Sequence, residues 1–471
     1  MNLHLVLLIV YSAAMMSVGL VIGRRVRGAS DFFVAGRQLG PGLIFSTMLA
    51  ANIGVGSTVN ATALGYSSGV AAWWWVGSAA LGSAVLALWI GPAIRREAAA
   101  RDLRTVGDYL EYRYSATVRA LIAAVLWIGT LFIFAGQLFG MGVILETVAG
   151  IPSWMGCAAG GVVITVYFSA GGLLTSAWVN VIQLTVKLAG FAIAVAFVLS
   201  RVGGLHALSA VRADDPVYWN FWRLGQPGIM SLALLTPAFI VSPGLLQKIF
   251  GARDDRAVRI GVGLNALGLF LYAAIPVVLG IATRLLFPDL ARADLALPTI
   301  LMRAVPPLVG AIGLAAVFSA EISAADAVLF MLTTSLSQDL YKRFVNPSAP
   351  DALILRVTRA TAIVSGVAGV LLALLLGSIL EALTIFYAVL SVSLFVPIVG
   401  GLYVKRTTTG AALAAIVVGV GVMLTIHAAT GGRGWGVITP PFGGLVAAIA
   451  AWAVVLMVGA SQRGRQEHLS A

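Results

Sequence analysis

The chain has 471 residues, 60% of them hydrophobic and only 10% charged, with a net charge of +12. Soluble domains carry roughly a quarter of their residues as charges, and a bilayer span needs about 20 apolar residues. A soluble fold is therefore excluded in favour of an all-α polytopic membrane protein with no nucleic-acid partner, whose positive charge sits in topology-setting loops. The single cysteine, Cys157, excludes an internal disulfide and a cysteine-rich metal site.

In chain order the apolar runs predict about 13 transmembrane helices, over residues 3–22, 40–69, 71–92, 118–147, 152–169, 174–200, 229–250, 258–287, 308–337, 357–376, 379–403, 409–429 and 439–460. The first run has no basic residue before it and "RRVRG" after it, the reverse of a cleaved signal peptide. It reads as a retained span with its N-terminus outside. Alternate loops, among them "IRREAAARDLRTVGDYLEYRYS", "QKIFGARDDRAVR" and "QDLYKRFVNPSAPDALILRVTR", hold most of the Lys and Arg. They are assigned to the cytoplasm, as is the C-terminus. The expected location is the cell inner (plasma) membrane.

Two spans carry helix breakers at mid-length. Within 40–69 lies "AANIGVGSTVNA", residues 50–61, and within 229–250 lies Pro237 together with Ser242, Pro243 and Gly244. Backbone unwound at mid-membrane is tolerated only where it lines a site. Paired broken spans at corresponding places mark an inverted-repeat transporter. Residues 50–57 and about 236–243 are expected to be non-helical and close together. Close packing of small residues is the alternative reading of the first stretch. The chain then divides into an extra N-terminal span and loop (1–39), a first repeat (40–200), an outer loop (201–228), a second repeat (229–403), and two C-terminal spans with a tail (404–471).

The polar side chains nearest these breaks are Asn52, Ser57, Thr58, Gln137 and Thr236. They are candidates for binding a solute. Trp74, from the run Trp73–Trp75, and Phe386 and Tyr387 could stack on it. For the tryptophans, an interfacial aromatic belt is the competing role. Asp326 and Glu321 are the only carboxylates deep within a span, and such residues are functional by default. Asp326 is the cation or proton coupling candidate. Glu321, on another face, is a second coupling candidate, with Lys187 as a conceivable partner. His4, His206, His427 and His468 are too scattered for a metal or catalytic set, so no enzyme is expected.

"SDFFVAGRQLGP", "AANIG", "YFSAGGLLTSAWVNVIQ" and "SQDLYKRF", in this order, resemble the sodium/solute symporter family of sugar, proline, pantothenate and sialic acid carriers. The resemblance covers about residues 1–460. It implies a LeuT-like five-plus-five inverted repeat and alternating access driven by sodium. It places sodium ligands on the carbonyls of Ala50, Ile53 and Ala320 and the hydroxyl of Ser323. The second expected hydroxyl falls on Ala324, which has none. Many members also carry an aspartate where this chain has Asn180. Asp326 lies three residues beyond Ser323, on the same helix face. The missing carboxylate is read as having moved there, completing a site of Ala50, Ile53, Ala320, Ser323 and, directly or through water, Asp326, with Asn180 as an optional further ligand.

The expected function is Na+-coupled symport of a small polar solute, with a neutral or zwitterionic one favoured because no arginine sits at mid-depth. Proton coupling through Asp326, with H+ in place of Na+, is the alternative mechanism. A transporter-like membrane sensor is the alternative class.

Overall fold

Apolar runs in a bilayer must close their own backbone hydrogen bonds, and a helix does this within one segment. The computed structural model describes residues 3–23, 34–169, 173–211, 215–225 and 227–470. Part of "SDFFVAGRQLGP" and of "YFSAGGLLTS" lies outside these. The described chain is helical, with two isolated bridges as its only extended pairings. The helices are α1 (Leu3–Gly23), α2 (Pro41–Asn52), α3 (Ala61–Ser68), α4 (Trp73–Val85), α5 (Gly91–Ala100), α6 (Val106–Arg113), α7 (Ala116–Ala149), α8 (Ser153–Ser169) and α9 (Leu173–Val202). After the loop come α10 (Ser231–Val241), α11 (Pro243–Phe250), α12 (Asp255–Tyr272), α13 (Ala274–Leu286), α14 (Ala296–Arg303), α15 (Pro307–Thr334), α16 (Asp351–Leu375), α17 (Ile379–Tyr403), α18 (Thr409–Thr430) and α19 (Pro440–Ser470).

Among the described residues, 10 helical segments are long and apolar enough to cross a membrane, and His4–Met15 and Ser153–Val166 are shorter apolar helices. The expected count of 13 is not confirmed, and the helices α1 and α8 themselves extend further, over Leu3–Gly23 and Ser153–Ser169. The expected span 40–69 is divided, so α2 alone is too short to qualify, and the remainder runs on as one segment, Gly56–Ala100.

Both breaks are shorter than the sequence suggested. Pro41 starts α2, where its missing N–H has no intrahelical role. The helix continues through Asn52 and leaves helical geometry at Ile53, with φ −89° and ψ 89°. A wide-turn helix, Gly56–Asn60, then leads into α3. Only residues 53–55 are outside helix, not all of 50–57. In the second half the break is Ser242 alone, with φ −54° and ψ 121°. Pro243 forces it, because the residue before a proline is pushed out of the α region. Pro237 sits inside α10 without ending it, so 236–243 is not an unwound stretch.

The centre of the bundle is where these breaks meet long continuous helices. α2 lies against α12, α9 and α15, and α15 packs on α9, α7 and α1. α17 packs on α7 and α10, and α18 with α19 forms a hairpin against α17. Asn52 at the end of α2 donates through Nδ2 to Asn265 Oδ1 of α12 at 3.0 Å. Such an interhelical bond contributes on the order of 1 kcal/mol in a membrane.

Candidate functional site

The first break is held open by side chains that satisfy its backbone. Gly54 N–H donates to Ser57 Oγ at 3.1 Å, and Val55 N–H donates to Gln137 Oε1 on α7 at 3.1 Å. Ser57 Oγ lies 3.0 Å from the Asn52 carbonyl, and Thr58 Oγ1 donates to the Gly54 carbonyl at 2.9 Å. Buried polar backbone is thereby paired, as it must be away from water. Gly54 is obligatory on steric grounds: a Cβ there would lie 2.3 Å from Ala324 Cβ.

Both breaks face one cavity of about 70 Å³. Asn52, Ser57 and Gln137 line it from the first half, and Ser242, between α10 and α11, and Lys248 of α11 line it from the second. Aromatic rings cover it: Tyr387 packs between Phe386 and Phe239, with ring centroids at 5.1 and 5.6 Å, and meets Trp75 edge-on at 6.3 Å. The arrangement offers amide and hydroxyl groups on one side and flat apolar faces on the other, which suits a small polar solute.

Three of the solute candidates are elsewhere. Thr58 is turned away, its hydroxyl held by the Gly54 carbonyl and by Glu321 Oε1 at 2.9 Å. Thr236 Oγ1 bonds the Ser78 carbonyl at 3.0 Å, within a helix–helix contact. Trp74 donates to the Phe221 carbonyl at 2.8 Å and stacks with Trp73, Phe221 and Trp222 of the 201–228 loop. Its neighbour Trp75 takes the cavity position, since one residue along a helix turns the side chain by about 100°.

The expected cation site is divided into two layers along α2, α9 and α15. In the first, Lys187 of α9 donates to the Ala50 carbonyl at 2.6 Å, to the Ile53 carbonyl at 3.2 Å and to Ser323 Oγ. Ser323 Oγ also lies 2.8 Å from the Ala50 carbonyl and 3.1 Å from the Ala320 carbonyl. Glu321 bonds Thr58 rather than Lys187, although the two charges are within Coulombic reach. In the second layer, Asp326 Oδ2 accepts from Ser176 Oγ at 2.7 Å. Asn180 Nδ2 reaches Ser176 Oγ at 3.2 Å and Thr47 Oγ1 at 3.0 Å, while Asn180 Oδ1 is buried with no protein partner. Asp326 therefore does not join the Ala50, Ile53 and Ser323 contacts. One helical turn separates them, and Lys248 is its nearest cationic neighbour.

The oxygens fit sodium differently in the two layers. The first already holds a lysine nitrogen at the place where an ion would sit. The second has a carboxylate and a hydroxyl, oxygen donors suited to a hard cation, with the Asn180 amide turning its Nδ2 toward that hydroxyl. Sequence reasoning missed Lys187 as an occupant and Lys248 and Phe239 as cavity walls, and within the run Trp73–Trp75 it singled out Trp74 where Trp75 lines the cavity. An intramembrane lysine is itself a signal of function, and Lys187 carried that signal.

Near the other end of α15, Arg119 of α7 is surrounded by carboxylates. It reaches Asp339 at 2.9 Å, Asp108 at 2.8 Å and Glu111 at 3.0 Å. Thr105 caps α6 and donates to Asp339 Oδ1 at 2.6 Å. Arg343 pairs with Glu111 at 2.6 Å, and together with Arg119 holds the Glu111 carboxyl below the usual range against the opposing effect of burial. This network joins α6, α7 and the "QDLY" segment below the cavity.

Broken helices meeting at a buried polar cavity, inside a bundle of membrane-length helices, define a secondary transporter. The fold is similar to that of a solved structure of a Na+-coupled sialic acid symporter in a substrate-bound outward-open state, with TM-score 0.83, 18% identity, and 97% of this chain and 98% of that one covered. The fold is the LeuT-like one. Residues 32–419 match the sodium:solute symporter family. The chain is 25% identical over 464 residues to the sodium/glucose cotransporter of Vibrio parahaemolyticus, covering 87% of this chain and 82% of the relative. It is 26% identical over 422 residues to the sodium/pantothenate symporter of Escherichia coli (strain K12), covering 85% and 84%. The chain belongs to the sodium:solute symporter family: it is a sodium-coupled membrane transporter of small solutes and not an enzyme.

Proposed function

We propose that this protein carries a neutral or zwitterionic solute together with sodium across the plasma membrane, by alternating access around the cavity between the two helix breaks. The observation that carries this reading is that both breaks, 53–55 and Ser242, open onto the same cavity. The repeats are 40–200 and 229–403, each opening with a broken helix. Asn52, Ser57 and Gln137 hydrogen-bond the solute, and Trp75, Phe386 and Tyr387 cover it. Lys248 is the cation on the cavity wall, and the neighbouring Asp326 offsets its charge. That balance favours a solute with no net charge. Sodium binds beside Asp326, with the Ser176 hydroxyl as its other side-chain oxygen. The N-terminus lies outside and the C-terminus in the cytoplasm, as the basic loops require.

A thermal-shift screen of sugars, amino acids and monocarboxylates, with and without sodium, identifies the solute. Counterflow in proteoliposomes then tests transport: a carrier exchanges labelled solute, whereas a sensor only binds it. Asp326→Asn should weaken sodium binding, with transport partly rescued by added sodium. If gradient-driven accumulation vanishes while exchange survives and sodium does not rescue, Asp326 carries a proton instead. Unchanged transport and sodium affinity would remove Asp326 from the coupling site.

A further inference from the structure

The Lys187 side chain is completely buried, and its three N–H groups find three acceptors: the Ala50 carbonyl, the Ile53 carbonyl and the Ser323 hydroxyl. An ammonium has three donors and no acceptor, so this position satisfies it completely. The two carbonyls belong to the last turn of α2 and the start of its break, where the helix ends and carbonyls are left without intrahelical partners. They carry the negative end of the α2 dipole. Glu321, which is hydrogen-bonded to Thr58 just beyond the break, lies within Coulombic reach of the ammonium. The cluster is thus built for one monovalent cation, and the chain supplies it.

These acceptors are three of the oxygens on which the family resemblance places a sodium ion. A fourth, the Ala320 carbonyl, is engaged by Ser323. The fifth position is Ala324, whose methyl packs against Gly54. An amine has entered and a hydroxyl has left at the same place. A metal ion held by the same oxygens would need the space that Nζ occupies. Each change alone would disable the site in one direction: the amine would crowd an ion, and the missing hydroxyl would leave the ion short of a ligand. Together they compensate, because an ammonium needs three acceptors and not five.

We infer that Lys187 is a tethered cation that permanently takes the place of one transported sodium ion, joining the α2 break to α9 and α15 without an ion from solution. Sodium coupling then runs through the Asp326 layer alone. This inference rests on the transporter reading, and it concerns which layer the sodium enters.

The test is sodium binding, followed with radioactive sodium on the full-length purified protein in nanodiscs, so that no solute is needed. Wild type, Ser323→Ala, Asp326→Asn and Lys187→Ala are compared. Asp326→Asn should weaken sodium binding by at least about tenfold, since losing even an outer hydrogen-bond partner of a metal ligand costs about that much, and Ser323→Ala should leave it nearly unchanged. Lys187→Ala should bind an additional equivalent of sodium, and adding Ser323→Ala to it should remove that equivalent. If Ser323→Ala in the wild-type background abolishes sodium binding, sodium and not the lysine occupies the position, and the inference is overturned. The same follows if folded Lys187→Ala binds no more sodium than wild type. Should Lys187→Ala not fold, the Ser323→Ala comparison still decides. If wild type binds no sodium but Lys187→Ala does, the Asp326 assignment fails while the tethered cation stands.

Discussion

Replacing Gly54 by alanine tests how closely the helix break is fitted to α15. An added Cβ would lie 2.3 Å from Ala324 Cβ and 3.1 Å from Gln137 Oε1. Carbon atoms in contact settle at about 3.5–4.0 Å, so the backbone at 53–55 or α15 must move by more than about 1 Å. Overpacking of this kind costs about 1–3 kcal/mol. Displacing Gln137 also breaks its bond from Val55 N–H, about 1 kcal/mol more. The expected loss is about 2–4 kcal/mol in equilibrium unfolding in mixed micelles. Solute exchange in proteoliposomes should fall with it, because the same movement shifts Asn52 and Ser57. Gly42→Ala is the control: it lies on α2 with nothing within 4 Å of the added carbon, and it should be neutral within about 0.5 kcal/mol. Gly54→Ala combined with Ala324→Gly removes the clash, and the pair should show a favourable coupling of about 1 kcal/mol or more. Wild-type stability and exchange in Gly54→Ala, or a strictly additive double variant, would refute the proposed contact.

Arg119→Met should destabilise the protein by about 3–5 kcal/mol, because it leaves Asp339 buried beside Asp108 and Glu111 without a cation; adding Asp339→Asn should recover part of this in the same unfolding assay. Glu111, with its folded pKa lowered chiefly by Arg343, contributes stability that is complete above its unfolded pKa and is lost as pH falls through the lowered folded one. The loss of stability below about pH 5 should therefore be shallower in Arg343→Ala than in wild type, as thermal melts across that range would show. Trp75→Ala should raise the solute concentration needed for half-maximal counterflow. Trp74→Ala should leave that concentration unchanged and lower the melting temperature, through loss of its contacts to Phe221 and Trp222.

Composition and hydropathy alone determine that this is a helical membrane protein, because a bilayer leaves the backbone no alternative. Local chemistry places both breaks to within a few residues: Gly54 and Gly56 permit one, and the Ser242–Pro243 pair forces the other. Their extent was not legible, since helix persists wherever neighbours supply its hydrogen bonds. α2 runs to Asn52, and Pro237 is carried inside α10. Asn52, Ser57 and Gln137 were readable as cavity residues because they lie beside the breaks. Trp75 in place of Trp74 depended on helix rotation, which only packing sets. The division of the cation position was also beyond the sequence. Lys187 is 137 residues from Ala50 and 136 from Ser323. Only the tertiary structure decides that one amine from α9 meets carbonyls of α2 and a hydroxyl of α15, because long-range contacts leave no periodicity along the chain.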